Sequence, residues 1–97
     1  MASVVYSARA LADLERLFDF LVCVDPQAAN DSAQVIIHAV EVLERHPYIG
    51  RAVRGRQREL VISHGRTGYV ALYRVAERRN RMEVLAIRHQ REAGYYS

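Results

Sequence analysis

The chain has 97 residues, of which 51% are hydrophobic and 26% are charged. This composition supports one folded domain, residues 1–97, with a modest core, and it excludes an intrinsically disordered chain. No run approaches the roughly 18 to 20 apolar residues that span a bilayer, and no basic-then-apolar leader opens the chain, so we expect a cytoplasmic protein without a membrane segment.

Charge is distributed unevenly along the chain. All fourteen basic residues are arginine; residues 1–48 carry three of them against seven acidic residues, and residues 49–97 carry eleven against four. The basic second half predicts a polyanionic partner, either nucleic acid or an acidic protein segment.

Cys23 has no disulfide partner, which fits a reducing cytosol. Because it lies beside Val22 and Val24 on a predicted helix, it is expected to be buried.

The first half predicts a short strand and a helix. Residues 3–6 (SVVY) are β-branched enough for a strand. Ser7 suits a helix N-cap, and apolar residues then recur at three- and four-residue spacing to about Val24. The other helix face is predicted to hold the polar residues Asp13, Glu15, Arg16 and Asp19.

A second helix is predicted to begin at Asp25-Pro26, because an N-cap side chain followed by proline is typical of a helix start. Its apolar stripe runs to Leu43, and it ends near Arg45 because Pro47 disfavours helical geometry in the residue before it. Two helices joined this closely are expected to form an antiparallel hairpin.

The second half predicts a loop followed by three strands. The loop is HPYIGRAVRGR, residues 46–56, with one proline and two glycines. The strand-like runs and the turn-like segments between them predict three consecutive antiparallel strands. Arg74 is expected on the open face of the sheet or toward a groove at its edge. The strands are ELVIS (59–63), YVALYRV (69–75) and MEVLAIR (82–88), with turns at 64–68 and 76–81.

The predicted fold is therefore α+β. An N-terminal strand and an antiparallel helical hairpin pack on a small antiparallel β-sheet, in the order β-α-α-β-β-β.

Two segments of this sequence carry a resemblance to a known family. RELVISHGRTGYVALYRV (58–75) and VLAIRHQREAGY (84–95) closely resemble the RelE/ParE superfamily of bacterial type II toxin–antitoxin toxins, in its ParE-like branch. The LADLERLFDFL helix and the HPYIGR turn resemble the same family, so the likeness covers nearly the whole chain.

This resemblance implies a toxin that a cognate ParD-like antitoxin neutralises in a hetero-oligomer. ParE-branch members are associated with poisoning DNA gyrase and blocking replication, whereas RelE-branch members are associated with cleaving mRNA on the ribosome. A degenerate toxin that only binds its antitoxin is a third possibility. Fold alone does not choose between these activities.

An RNA-cleaving site would need a base, an acid and fixed cations around one phosphate. The nuclease candidates are Arg74, Arg88, His89 and Tyr95. The lysines used by RelE-type members are absent, and arginine is too weak an acid to replace lysine in proton transfer. We therefore favour a non-enzymatic toxin that binds gyrase.

The spacing of the histidine and cysteine residues matches no metal-binding motif, so neither a metal nor a cofactor is expected.

Two binding surfaces are predicted. The target-binding candidates are in the C-terminal tail, where arginine and tyrosine suit protein recognition, although Tyr95 could instead fold back on the sheet. They are Arg88, His89, Arg91, Tyr95 and Tyr96. The antitoxin candidates are arginines that would complement an acidic, disordered antitoxin segment. They are Arg51, Arg54, Arg56, Arg58, Arg66 and Arg74.

Overall fold

The computed structural model describes residues 3–65 and 67–95. Its elements, in chain order, are β1 (Ser3–Tyr6), α1 (Ala8–Val22), α2 (Pro26–Glu41), a 3-10 turn (Val42–Glu44), β2 (Arg51–Arg54), β3 (Gln57–His64), β4 (Thr67–Ala76), a second 3-10 turn (Glu77–Arg79) and β5 (Arg81–His89). The strands form one sheet in the order β1-β5-β4-β3-β2, and the helical hairpin packs on one of its faces. The predicted α+β fold is confirmed.

Two features of the sheet differ from the prediction. The segment predicted as a loop contains β2, which pairs with β3 through a two-residue turn at Gly55-Arg56. All four residues of β2 are exposed, so the strand has no apolar alternation that would reveal it. At the opposite edge, β1 runs parallel to β5, which makes the sheet mixed instead of purely antiparallel.

Both helices begin at the predicted caps. The Ser7 side chain accepts a hydrogen bond from the Ala10 N–H at 3.0 Å, and Asp25 accepts one from the Gln27 N–H at 3.1 Å. The expectation that Cys23 is buried is wrong, because α1 ends at Val22 and the cysteine lies exposed in the connection to α2. No helix within residues 3–65 and 67–95 has the length and apolar character needed to cross a membrane.

The core lies between the helical hairpin and the sheet. Its largest fully buried side chains are Tyr73, Ile36, Leu43, Met82, Ile87, Val40 and Val84. Tyr73 also has a polar function, because its hydroxyl donates to the Pro47 carbonyl at 2.8 Å and accepts from the Gly50 N–H at 2.9 Å. Burial raises the pKa of Tyr73, which keeps the hydroxyl a neutral donor. This side chain therefore fixes the turn that leads into β2.

Asp13 was predicted on the solvent-facing side of α1, but it is only 3% exposed. Its Oδ2 accepts a hydrogen bond from the Ile87 N–H at 2.8 Å. The pairing of β1 with β5 stops at Val84, so the rest of β5 has no strand on that side. Helix α1 supplies the missing partners, since the Ser7 hydroxyl also donates to the Leu85 carbonyl at 2.9 Å.

We predict that Asp13→Ala lowers the free energy of unfolding by about 1–3 kcal/mol, because the buried Ile87 N–H loses a charged acceptor. Chemical denaturation followed by circular dichroism measures this change. Asp19→Ala is the matched control, because Asp19 is an exposed carboxylate on the same helix, and its effect should stay within about 0.5 kcal/mol. Equal effects of the two substitutions would contradict a structural role for the Asp13 carboxylate.

Candidate functional site

The sheet register separates two neighbouring candidate residues. Residues directly opposite each other on paired strands share a face, and successive residues alternate between faces. His89 is opposite Tyr69, which packs in the core beneath the helices. Arg88 is opposite Val70 and therefore lies on the face that the helices leave open. Arg88 and His89 do not form one cluster.

On the open face, the C-terminal tail folds back over the sheet. The Tyr95 hydroxyl donates to Glu59 Oε2 at 2.7 Å, and the Arg88 guanidinium lies 5.3 Å from the centre of the Tyr95 ring. Arg51 pairs with the other Glu59 oxygen at 2.6 Å. We call these four residues, Arg51, Glu59, Arg88 and Tyr95, the tail cluster.

In the tail cluster, the pKa values of Glu59 and Tyr95 are shifted in opposite directions. The hydrogen bond from Tyr95, with the neighbouring Arg51, lowers the pKa of the Glu59 carboxyl group despite its partial burial. Burial and the Glu59 carboxylate raise the pKa of Tyr95. At neutral pH Tyr95 is therefore a phenol that directs its proton to an anionic Glu59, and it is poorly suited to act as a base.

This pairing predicts a loss of stability in acid. Because the pKa of Glu59 is lower in the folded chain, its contribution is fully present above the unfolded pKa of about 4.3 and is lost as the pH falls through the folded value. Thermal unfolding between about pH 5 and pH 3 is the measurement. Glu59→Gln should reduce the difference in stability between these two pH values. If the difference stays unchanged, the Glu59 carboxylate is not the group responsible for the loss of stability in acid.

The start of the tail is fixed by hydrogen bonds to its backbone. Arg88 Nη1 donates to the carbonyl oxygens of His89, Gln90 and Glu92 at 3.3, 3.3 and 3.1 Å. Glu92 accepts from the His89 N–H at 2.8 Å and pairs with Arg16 of α1 at 2.8 Å. Arg88 thus both stabilises the turn and forms part of the tail cluster.

His89 has hydrogen-bonding partners at both ring nitrogens. Its Nδ1 accepts from the Arg91 N–H at 3.0 Å, and its Nε2 contacts the Thr67 hydroxyl. A ring that accepts at Nδ1 carries its proton at Nε2 when neutral. The imidazole also stands edge-on to Tyr69, with 5.4 Å between ring centres. These contacts connect β5 to the start of β4 on the helical side of the sheet.

Arg74 lies on the open face, opposite Glu83 of β5. The two side chains pair at 2.5 Å, and Arg81 pairs with the same carboxylate at 2.6 Å. These two arginines lower the pKa of Glu83. Arg74 is therefore placed in an ion pair with Glu83.

The other candidates are spread over the basic half of the chain. Arg54 and Arg56 are exposed at the β2–β3 turn, and Arg91 is exposed in the tail. Arg58 donates to the carbonyls of Gly50 at 2.8 Å and Tyr48 at 3.2 Å. Arg66 and Tyr96 lie outside the described residues.

Comparison with known proteins identifies the family. Residues 4–94 match the family described as "ParE toxin of type II toxin-antitoxin system, parDE". The chain belongs to this ParE toxin family. The resemblance that the sequence predicted is confirmed, and the protein is a toxin-family member of type II toxin–antitoxin systems.

Curated relatives of this ParE-family chain include toxins of Caulobacter vibrioides. Toxin RelE3 is 36% identical over 92 residues, which cover 95% of this chain and 98% of the relative. Toxin RelE1 is 37% identical over 73 residues, which cover 75% and 78% respectively. The ParE family match and the RelE names together leave the molecular target open.

Solved structures have the same fold. A chain from the chromosomal ParDE toxin–antitoxin system of P. aeruginosa aligns with a TM-score of 0.77 and 26% identity, covering 92% of this chain and 96% of that chain. A chain of the RelBE2 toxin–antitoxin complex of Mycobacterium tuberculosis aligns with a TM-score of 0.61 and 24% identity, covering 92% and 98%. The second likeness concerns the fold alone.

The sequence did not predict the acidic residues that hold the tail of this ParE-family chain. Glu59 is the centre of the tail cluster and Glu92 anchors the tail, yet neither was a candidate. The sequence did carry a signal for Glu59, because it is an acidic residue within a strand of apolar character.

Among the described residues, no group of three or more histidine, cysteine or acidic side chains is placed to hold a metal ion.

Proposed function

We propose that this ParE-family toxin poisons DNA gyrase, that it contacts gyrase through the tail cluster and adjacent tail residues, and that it is not itself an enzyme. The observation that carries this proposal is the division of the candidate residues between the two faces of the sheet. Arg88 and Tyr95 are on the open face, whereas His89 is on the helical side. The proposed target surface comprises Arg88, Arg91, Tyr95 and Tyr96, with His89 supporting the tail from behind.

The arrangement is unfavourable for cleaving RNA. Such a reaction needs an acid, a base and unpaired cations around one phosphate. Tyr95 directs its proton to Glu59, and Arg74 is paired with Glu83. His89, whose side-chain type is the usual one for acid–base work, faces away from them.

The same arrangement is favourable for recognition. Tyrosine and arginine often dominate the binding energy of protein interfaces. Arg88 is held by three carbonyls and Tyr95 by Glu59, so both side chains are ordered before binding. Ordering them in advance lowers the entropic cost of association. Exposed Val61, 54% accessible on the same face, adds an apolar contact.

We further propose that a cognate ParD-like antitoxin neutralises the toxin in a hetero-oligomer in the cytoplasm. The relative from P. aeruginosa is itself part of a ParDE system. The proposed antitoxin surface comprises Arg51, Arg54, Arg56, Arg58, Arg66 and Arg74, whose charge complements an acidic segment. Arg51 also belongs to the tail cluster, so an antitoxin on this surface would cover part of the tail cluster.

Gyrase assays test the main proposal. Purified toxin is titrated into supercoiling reactions and into reactions that trap gyrase-dependent DNA cleavage. We expect inhibition of supercoiling with accumulation of cleaved DNA, relieved by prior addition of the antitoxin. Unchanged supercoiling and cleavage at micromolar excess of a folded toxin would reject the proposal.

The second candidate function is a ribosome-dependent mRNA endonuclease. It is favoured by the contact of Arg88 with Tyr95 on the open face and by the RelE names of the Caulobacter relatives. It predicts cuts in translated message that disappear in His89→Ala or Tyr95→Phe. Primer extension during induced growth arrest separates the two functions, since intact message rejects the nuclease. A degenerate toxin would leave growth unchanged on induction without antitoxin.

A further inference from the structure

A second group of arginines gathers at the end of the sheet where β5 begins. The β2–β3 turn and the β4–β5 turn lie at this end together, because Gln57 at the start of β3 is opposite Arg74 near the end of β4. Between them is an open groove of ≈ 510 Å³. Its lining includes Tyr48, Gly55, Arg56, Arg58, Glu77 and Arg78, and we call it the basic groove.

Arginines far apart in sequence meet in the basic groove. Arg78 belongs to the 3-10 turn before β5, whereas Arg56 belongs to the turn before β3. The 3-10 turn reverses direction at Asn80, which has a left-handed φ of 50°. Exposed Arg54 and Arg79 extend the same end of the molecule. Three arginines thus line the groove, and two more add exposed positive charge at the same end of the molecule.

Acidic residues offset only part of this charge. Glu77 lines the basic groove, and its carboxylate accepts a hydrogen bond from the Tyr48 hydroxyl. Glu83, the acidic residue of neighbouring β5, is paired with Arg74 and Arg81. Arg56, Arg78 and Arg79 are left exposed to a ligand.

We propose that the basic groove binds the phosphate backbone of duplex DNA. Guanidinium groups bind phosphate oxygens with two parallel hydrogen bonds, and several arginines on one surface match the closely spaced charges of a duplex. Tyr48, half exposed and flanked by the Arg58 guanidinium at 5.1 Å, adds a flat contact surface beside the cations.

Arg54, Arg56 and Arg58 also belong to the proposed antitoxin surface, so a bound antitoxin would compete with DNA for them. In the free toxin, the chemistry of the groove favours nucleic acid. A peptide gains much of its affinity by burying apolar side chains, and the apolar side chains of the groove lining are the small Ala52 and Val75. Binding to a phosphate backbone needs positive charge and hydrogen-bond donors, and the arginine side chains of the groove supply both. This DNA site goes beyond the proposed contact with gyrase.

The 3-10 turn of the basic groove and the start of the tail lie at opposite ends of β5, whereas Glu59 of the tail cluster adjoins Arg58 of the groove lining. Strand β5 runs from Arg81 beside the groove to His89 beneath the tail, and a strand of nine residues spans about 30 Å. Arg78 and Arg79 are therefore far from His89 and the start of the tail, and changing them alters no residue of the tail cluster. Loss of DNA binding and loss of gyrase inhibition can be measured separately.

The test is fluorescence anisotropy with the full chain and a fluorescein-labelled duplex of mixed sequence, about two helical turns long. We expect the logarithm of the association constant to fall with the logarithm of salt concentration with a slope of about −4 between about 0.05 and 0.2 M salt. The double variant Arg78→Glu/Arg79→Glu should weaken binding more than about tenfold and reduce the slope by about 2.

The matched control is Arg9→Glu/Arg45→Glu, which changes the net charge equally at exposed positions on the helical part of the chain. The affinity of this control variant for the duplex should fall less than about threefold, because only the screened, long-range effect of net charge is changed. Equal weakening by the two double variants would overturn the proposal, as would absence of binding at the lowest salt. Loss of binding to a labelled acidic peptide but not to the duplex would assign the groove to a protein partner instead. Circular dichroism confirms that each variant is folded.

Discussion

Gly50→Ala is expected to destabilise the fold by about 1–3 kcal/mol or more, because it inserts an atom into a fully packed site. A Cβ at this position would lie 2.6 Å from the ring and the hydroxyl of Tyr73 and 2.8 Å from the backbone oxygen of Glu59. Tyr73 is fully buried and cannot turn away. For a domain of this size, the melting temperature should fall by about 4–8 °C for each kcal/mol.

Gly94→Ala is the matched control for this substitution. A Cβ at Gly94 meets no atom within 4 Å, so its effect should stay within about 0.5 kcal/mol. Differential scanning calorimetry measures both variants. Equal melting temperatures for Gly50→Ala and the unmodified chain would show that the turn before β2 moves freely and is not fixed by Tyr73.

The second large effect is expected for gyrase inhibition. Arg88→Ala should weaken it by about thirtyfold or more, because a dominant interface residue contributes at least about 2 kcal/mol. The substitution removes the guanidinium on the open face and also the donor that fixes the tail carbonyls. Supercoiling assays with toxin titrations measure the change.

His89→Ala distinguishes recognition from chemistry. The imidazole lies on the helical side, so its loss should change inhibition less than about threefold once the folded fraction is equalised. Tyr95→Phe keeps the ring beside Arg88 and removes the hydrogen bond to Glu59, and its effect should be intermediate. If His89→Ala abolishes toxicity in a folded chain while Arg88→Ala retains it, acid–base chemistry at His89 replaces the recognition proposal.

Local patterns were sufficient to predict most elements of the fold. The two helices have strong caps at Ser7 and Asp25, and β4 has a clear alternation of apolar residues. Strand β2 was missed because its four residues are all exposed and its pairing depends on a turn at Gly55. Cys23 was misplaced because the helix ends at Val22, and a helical pattern does not locate its end to within one turn.

The sequence was enough to predict the arginine and tyrosine residues of the candidate site, but not which residues they contact. The alternation of a strand already separates Arg88 from His89, so their opposite faces could have been inferred from sequence. The partner of Tyr95 could not, since Glu59 is 36 residues away and reaches the tail only through the register of the sheet.

The sequence by itself determined the helical hairpin, the three antiparallel strands, the basic second half and the resemblance to a toxin family, because these depend on local pattern and composition. The tertiary structure alone decided which charges meet. It placed Asp13 against the edge of β5 that no strand covers, Glu59 beneath Tyr95, and Arg56 in one groove with Arg78. These contacts join residues far apart in the chain, and their geometry follows from strand register and sheet order, which no local pattern encodes.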